Sequence, residues 1–175
     1  MITNKEENRE LDVRRLREAG VEVWVSVIET VPRAIDAMEE LFDSVLRWPR
    51  PEWLATAREL WCGEPAPARA RVAVPIWRDP WMVVGRDTFT GDLLARAGLP
   101  NVFASYADRY PTLDVATIDG AGADVVLLPD EPYVFTADDG PEAFTTPTEL
   151  VSGRLITWYG PSLVEAHTFL RHLGG

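Results

Sequence analysis

Cysteine and histidine are scarce in this chain of 175 residues, which contains one cysteine, Cys62, and two histidines, His167 and His172. A single thiol cannot close an internal disulfide or supply a paired-cysteine metal site. The histidines lie five positions apart, which places them on different faces of a helix, unlike the i, i+4 pair of zinc-binding helices. No nucleophile elbow or phosphate loop is present, and Gly120-Ala-Gly122 precedes a predicted strand instead of following one. We therefore expect no enzymatic activity and no catalytic cofactor.

Positive charge and long apolar runs are also lacking. The chain has 17 Lys and Arg against 28 Asp and Glu, a net charge of −11. This balance excludes nucleic acid as a partner, because nothing would offset phosphate repulsion. No stretch approaches the roughly 18 apolar residues needed to span a bilayer, so we expect no membrane insertion. The first residues also lack the basic start and apolar run of an export signal, which predicts a cytoplasmic protein if Met1 is the genuine start.

Strand and helix patterns alternate along the chain. Helical periodicity predicts helices over 6–19, 33–47, 51–61, 89–97 and 162–173. Runs of β-branched and apolar residues predict strands over 21–28, 71–77, 82–84, 124–128 and 154–157. The segments around 138–142 and Pro147 are too polar and proline-rich to be assigned. Alternation of this kind favours an α/β fold with a mainly parallel sheet flanked by helices.

Aromatic side chains follow three of the predicted strands. They occur in Trp77-Arg-Asp-Pro-Trp81, Glu131-Pro-Tyr-Val-Phe135 and Trp158-Tyr-Gly160. The carboxyl ends of strands in an open parallel sheet line the ligand crevice, so these residues predict a rim for a large, stackable ligand. The alternative is that they are core aromatics covering the ends of the sheet, since aromatic residues are largely buried in any case.

Six short segments of the chain together carry a resemblance to a known family. The segments are Asn4-Lys-Glu-Glu-Asn8, Ile76-Trp-Arg-Asp-Pro80, Val84-Gly-Arg-Asp-Thr-Phe89, Asn101-Val-Phe103, Tyr110-Pro-Thr112 and Glu131-Pro-Tyr133. In this order they resemble the cobalamin and ferric-siderophore receptors of ABC importers. These receptors form the helical-backbone class of solute-binding proteins, also called class III periplasmic binding proteins.

The resemblance implies a domain organisation. Family members have two α/β lobes joined by one long helix, with the ligand held between the lobes. Residues 1–29 would then be a remnant βα element of the first lobe, 30–66 the connecting helix and the helix after it, and 67–175 the second lobe. Most of the first lobe would be missing. The family works outside the cytoplasm, in the periplasm or at the cell surface.

The resemblance also implies roles for particular residues. The stacking and apolar walls would come from Trp77, Trp81, Tyr133, Trp158 and Tyr159. Arg78 and Arg86 would meet carboxylate or phosphate groups of the ligand, and Arg86 stands where the family usually has glycine. Ala116 occupies the position of a glutamate that docks on the permease, so Asp114 is the remaining candidate for that contact.

The sequence thus predicts the solute-binding component, or half of one, of an ABC importer. The predicted ligand is a corrinoid such as cobalamin, or a ferric siderophore. The chief alternative is an interaction protein that keeps the lobe without transport, and a third is an enzyme that reuses the fold. Because a missing first lobe would leave apolar surface uncovered, we also expect a homodimer.

Overall fold

Helices and short strands alternate along residues 1–4 and 9–173, the parts of the chain that a computed structural model describes. The strands are β1 Ile2–Asn4, β2 Trp24–Ser26, β3 Val72–Ala73, β4 Pro75–Trp77, β5 Met82–Val83, β6 Val125–Pro129 and β7 Thr148–Val151. The α-helices are α1 Glu10–Glu18, α2 Val31–Glu40, α3 Glu52–Trp61, α4 Phe89–Arg96, α5 Val115–Asp119, α6 Gly153–Thr157 and α7 Ser162–His172. Lys5 to Asn8, which carry most of the first matched segment and the predicted start of the first helix, lie outside the described residues.

The central sheet is parallel and has the order β3-β6-β7. All five residues of β6 are buried, which explains its uninterrupted apolar sequence. Alternate residues of the sheet enter two separate hydrophobic clusters. Val125 and Leu127 pack with α3, α4 and α7, whereas Val126 and Leu128 pack with Ile118 of α5. Helices therefore cover both faces, and the predicted α/β fold with a mainly parallel sheet is confirmed.

A second parallel pair lies at the start of the chain, where β1 pairs with β2 and α1 forms the crossover. The predicted strand over 21–28 is shorter than expected, since β2 contains only three residues.

The long helix begins as predicted, with Thr30 accepting a hydrogen bond from Arg33 N at 3.3 Å. It continues from α2 into a π-helical stretch, Leu41–Leu46, and ends at Arg47. Salt bridges fix it to α3, because Arg58 contacts Asp36 and Glu39, each at 2.6 Å. Within the described residues, no helix has the length and apolar character that crossing a membrane requires.

The predicted strand over 71–77 is two strands that belong to different sheets. β3 pairs with β6 in the central sheet, and β4 forms an antiparallel hairpin with β5. The change comes at Val74, whose carbonyl accepts a hydrogen bond from Val84 N at 2.9 Å. Pro75 has no N–H to continue the ladder. Trp77 therefore belongs to the hairpin and not to the central sheet.

The predicted last strand over 154–157 is wrong, because these residues form the helix α6. Thr157 Oγ1 donates to Gly153 O at 2.7 Å, one helical turn back. The last strand is instead β7, in the polar segment that could not be assigned from sequence. As an edge strand with β6 as its partner, β7 leaves Leu150 46% exposed, which weakens the alternation that identifies strands.

Candidate ligand-binding cleft

A cleft of about 610 Å³ opens where the chain leaves the strands. Ile28 follows β2, Ile76 lies in β4 just beyond β3, and Glu131 follows β6. The cleft therefore lies at the carboxyl ends of parallel strands, the usual place for ligands in open α/β sheets. Its lining consists of Ile28, Ile76, Val84, Phe89, Thr90, Tyr110, Glu131, Pro132, Thr157, Trp158 and Tyr159.

The floor of the cleft is apolar and its rim is aromatic. Val84 and Phe89 are buried, at 1% and 5% exposure, whereas Trp158 is 60% exposed and Tyr110 is 37% exposed. Tyr159 is half-buried, and its ring meets Phe89 at 5.6 Å between centroids with an interplanar angle of 67°. An apolar floor beneath exposed rings suits a ligand with a large, flat apolar face.

Trp158 is held in place by Glu131. The indole Nε1–H donates to Glu131 Oε1 at 2.5 Å, across 27 residues of sequence. The carboxylate therefore orients the indole and lines the cleft itself. Because the indole N–H is satisfied by the protein, the ring offers a ligand mainly its face.

One wall of the cleft depends on close backbone packing at Gly153, the first residue of α6. Its N–H donates to Asp130 Oδ1 at 2.6 Å. A Cβ at this position would meet Glu131 Cγ and would lie 2.8 Å from Glu131 O. The absence of a side chain at Gly153 is thus what allows the Glu131 loop to lie against α6.

Another wall of the cleft is built on Gly85, whose N–H donates to Arg109 O at 2.7 Å. A Cβ there would meet Asp108 O and would lie 2.9 Å from Pro111 Cδ. The buried Asn101 supports this wall, since its Nδ2 donates to Val84 O at 2.7 Å. These contacts place Tyr110 at the rim.

Four of the predicted binding residues form a separate aromatic cluster, defined by Trp77, Arg78, Trp81 and Tyr133. None of the four is among the described residues that line the cleft. Trp77 meets Tyr133 edge-on at 5.7 Å, and the Arg78 guanidinium lies 5.4 Å from the centre of the Trp81 ring.

Two carboxylates pair with the guanidinium of this cluster. Arg78 forms ion pairs with Asp139 and with Glu142, the latter at 2.5 Å. Tyr133 donates its hydroxyl to Asp139 Oδ2 at 2.6 Å. This bond raises the pKa of Tyr133, and the hydrogen bond from Arg78 lowers the pKa of Glu142. The ion pairs are a structural role for Arg78 that its position after a strand did not predict.

Trp81 is a core residue. It is 8% exposed, stacks on Phe135 at 5.7 Å with an interplanar angle of 10°, and meets Phe144 edge-on at 5.2 Å. This is the arrangement that the sequence left open as the alternative, aromatics covering the end of the sheet. Trp77, in contrast, is 43% exposed beside it.

The remaining predicted residues lie in different places. Trp158 and Tyr159 line the cleft, but they follow the helix α6, so the expectation of aromatic groups after three successive strands is wrong. The Arg86 side chain is 52% exposed, forms an ion pair with Asp87 at 3.4 Å, and is not among the lining residues. Asp114 caps α5 and accepts from Thr117 N at 2.7 Å, which lowers the pKa of Asp114.

Several lining residues were not predicted from sequence, above all Phe89, Tyr110 and Glu131. All three lie inside segments that carried the family resemblance, at the end of 84–89 and at the start of 110–112 and 131–133. Their position inside these segments was the sequence feature that could have identified them as lining residues. Within the described residues, no group of three or more His, Cys, Asp or Glu side chains is arranged to hold a metal ion.

Comparisons with known proteins identify the fold of the chain. No family model matches the chain, and no curated protein matches it. Solved structures do. The periplasmic vitamin B12 binding protein BtuF of Vibrio cholerae superposes with a TM-score of 0.73 at 14% identity, over 97% of this chain and 71% of that one.

Two further structures give similar matches. A possible iron-binding, periplasmic solute-binding protein from Staphylococcus epidermidis has a TM-score of 0.73 at 16% identity, over 97% of this chain and 73% of that one. The periplasmic heme-binding protein RhuT from Roseiflexus sp. RS-1 has a TM-score of 0.64 at 17% identity, over 97% and 74%. This chain therefore has the fold of the helical-backbone class of periplasmic solute-binding proteins.

Proposed function

We propose that the protein is a non-catalytic binding protein that holds a large, mainly apolar small molecule in the cleft and serves an ABC importer. The observation that carries this proposal is the cleft itself, about 610 Å³ with an apolar floor and an exposed indole at its rim. Ligand sites in proteins typically measure about 300–1,000 Å³ and combine apolar walls with a few polar groups. The fold supports the proposal, since the three matched structures are described as binding proteins.

The ligand that we propose is a corrinoid or a ferric siderophore. Both present broad surfaces on which Trp158, Tyr159 and Tyr110 can pack. Trp77 and Tyr133 do not line the cleft, so we assign them at most peripheral contacts. One lobe covers part of such a ligand, and the contacts must still overcome the entropy of association, so we expect micromolar or weaker affinity.

The partner and location that we propose follow from the same class. An importer's binding protein works outside the cytoplasm and docks on a permease. Asp114 is exposed at the start of α5 but its carboxylate also accepts from Thr117 Oγ1 at 3.0 Å. A permease arginine would therefore have to share this carboxylate with the helix cap, and docking through Asp114 remains a prediction.

The function can be tested by titrating the protein with cyanocobalamin, ferrioxamine B, ferrichrome and heme. Bound chromophores quench nearby tryptophan, and isothermal calorimetry gives an independent Kd. We expect saturable binding of at least one compound, with one site per chain. If none of them binds saturably by either method, the proposal fails, and an interaction protein that has kept the lobe becomes the better hypothesis.

A further inference from the structure

The charge of the cleft comes from a single side chain. Among the described lining residues, Glu131 is the one with a formal charge at neutral pH. It is half-buried and bonded to the indole of Trp158 at 2.5 Å. The rest of the lining is aliphatic, aromatic, hydroxyl-bearing or proline. A negative group set among apolar walls interacts with a ligand charge more strongly than it would in open water.

The arginines that were expected to bind an anionic ligand already form ion pairs with carboxylates of the protein. Arg78 contacts both Asp139 and Glu142, and Arg86 contacts Asp87 at 3.4 Å. Near the rim, Arg109 pairs with Glu29 at 3.1 Å. An anionic ligand that recruited one of these guanidinium groups would have to compete with the carboxylate that now holds it.

The net charge of the whole chain also disfavours anionic ligands. Its net charge of −11 gives a negative field around the molecule, which repels anions and attracts cations at low ionic strength. Glu131 can accept a further hydrogen bond while it holds Trp158, because a carboxylate has acceptor sites for several donors. The natural complement is a ligand that presents an amide, amine or hydroxyl donor on an otherwise apolar face.

We propose that the cleft selects neutral or cationic ligands and discriminates against anionic ones through Glu131. This inference rests on the proposed function, since it concerns the same cleft. It replaces the sequence-based expectation that Arg78 and Arg86 would bind ligand carboxylates or phosphates. Glu131 thereby has two roles, positioning the indole of Trp158 and setting the charge of the ligand.

The test uses ligand series that differ in charge and little in shape. Ferrioxamine B carries a free ammonium, its N-acetyl derivative is neutral, and its N-succinyl derivative is anionic. Cyanocobalamin and its singly hydrolysed carboxylate form a second, corrinoid pair. For whichever series binds, we expect Kd to rise about fivefold for each step toward negative charge, the upper end for one partly exposed charge pair.

Substitution isolates the carboxylate. In Glu131→Gln the amide oxygen can still accept from Trp158, so the indole stays oriented while the charge is lost. We expect this variant to bind the members of each series with nearly equal affinity. Glu59→Gln is the matched control, because Glu59 is exposed on α3, outside the cleft, and its loss changes the net charge equally. It should leave the ranking intact.

The outcomes separate the two proposals. Saturable binding with the anionic member equal or tighter would overturn the inference and leave the proposed function standing. The inference would also be overturned if Glu131→Gln and Glu59→Gln reduced the differences in Kd within a series by the same factor. The discrimination would then come from the net charge of the whole chain and not from Glu131. If neither series binds and ferrichrome and heme do not bind either, the proposed function fails and this inference fails with it. Binding of heme alone, which carries two carboxylates, would overturn the inference and leave the proposed function standing.

Discussion

Replacement of Trp158 by alanine is the sharpest test of the cleft, because it removes the most exposed aromatic group that lines it. An indole offers roughly 250 Å² of surface, and Trp158 leaves 60% of its surface exposed. A ligand stacked on one face covers about half of that exposed part. At about 25 cal/mol per Å² this corresponds to about 2 kcal/mol, or about a thirtyfold rise in Kd.

The assay is calorimetric titration with whichever corrinoid or ferric chelate the wild type binds. Trp48→Ala is the matched control, because Trp48 is 62% exposed and lies outside the cleft. Trp158→Phe keeps a ring but loses the bond to Glu131, so we expect an intermediate loss. Equal losses in Trp158→Ala and Trp48→Ala, or no loss in either, would refute the placement of the ligand against Trp158.

Three other expectations concern the cleft wall, pH and association. Gly153→Ala should destabilise the fold by about 1–3 kcal/mol in urea unfolding and weaken ligand binding, because its methyl group would push Glu131 out of place; unchanged binding would show that the wall tolerates the shift. Burial, and to a lesser degree Arg171, lowers the pKa of His167 below its ordinary 6.5. The unfolded chain therefore takes up that proton first as pH falls, so the stability advantage of wild type over His167→Gln should shrink from about pH 7.5 to 5.5; a constant difference would contradict this. Sedimentation should detect the homodimer expected from the exposed apolar residues Ile2 and Val27, and a monodisperse monomer at high concentration would count against it.

Much of the fold could be predicted from sequence, because its strongest signals are local. The long helix has a threonine cap, a proline in its first turn and a wide apolar face, and it occurs where these features predict it. The strand β6 is a continuous apolar run covered on both sides. The wrong or missing assignments concern segments whose local sequence is weakly patterned or is compatible with both a helix and a strand. Ile156 and Thr157 are β-branched residues in a one-turn helix, and β7 is a half-exposed edge strand.

Less of the site could be predicted, because a side chain's role depends on partners distant in sequence. Arg78 looked available for a ligand, but Asp139 and Glu142 lie 61 and 64 residues away and hold it. Trp81 looked like part of the rim, but Phe135 and Phe144 enclose it. Trp158 and Tyr159 line the cleft, although they follow a helix and not the predicted strand, and their contact with a ligand stays a prediction.

The two glycines in the walls of the cleft make the protein a scaffold for biosensor engineering. Gly85 and Gly153 let backbone pack directly on backbone, so the positions of Tyr110 and Glu131 are set largely by main-chain contacts. The side chains that face the ligand can then be exchanged without rebuilding the walls that present them. A library confined to Tyr110 and Glu131 would retune ligand preference, and the retained indole of Trp158 beside the bound molecule would report each binding event by its own fluorescence.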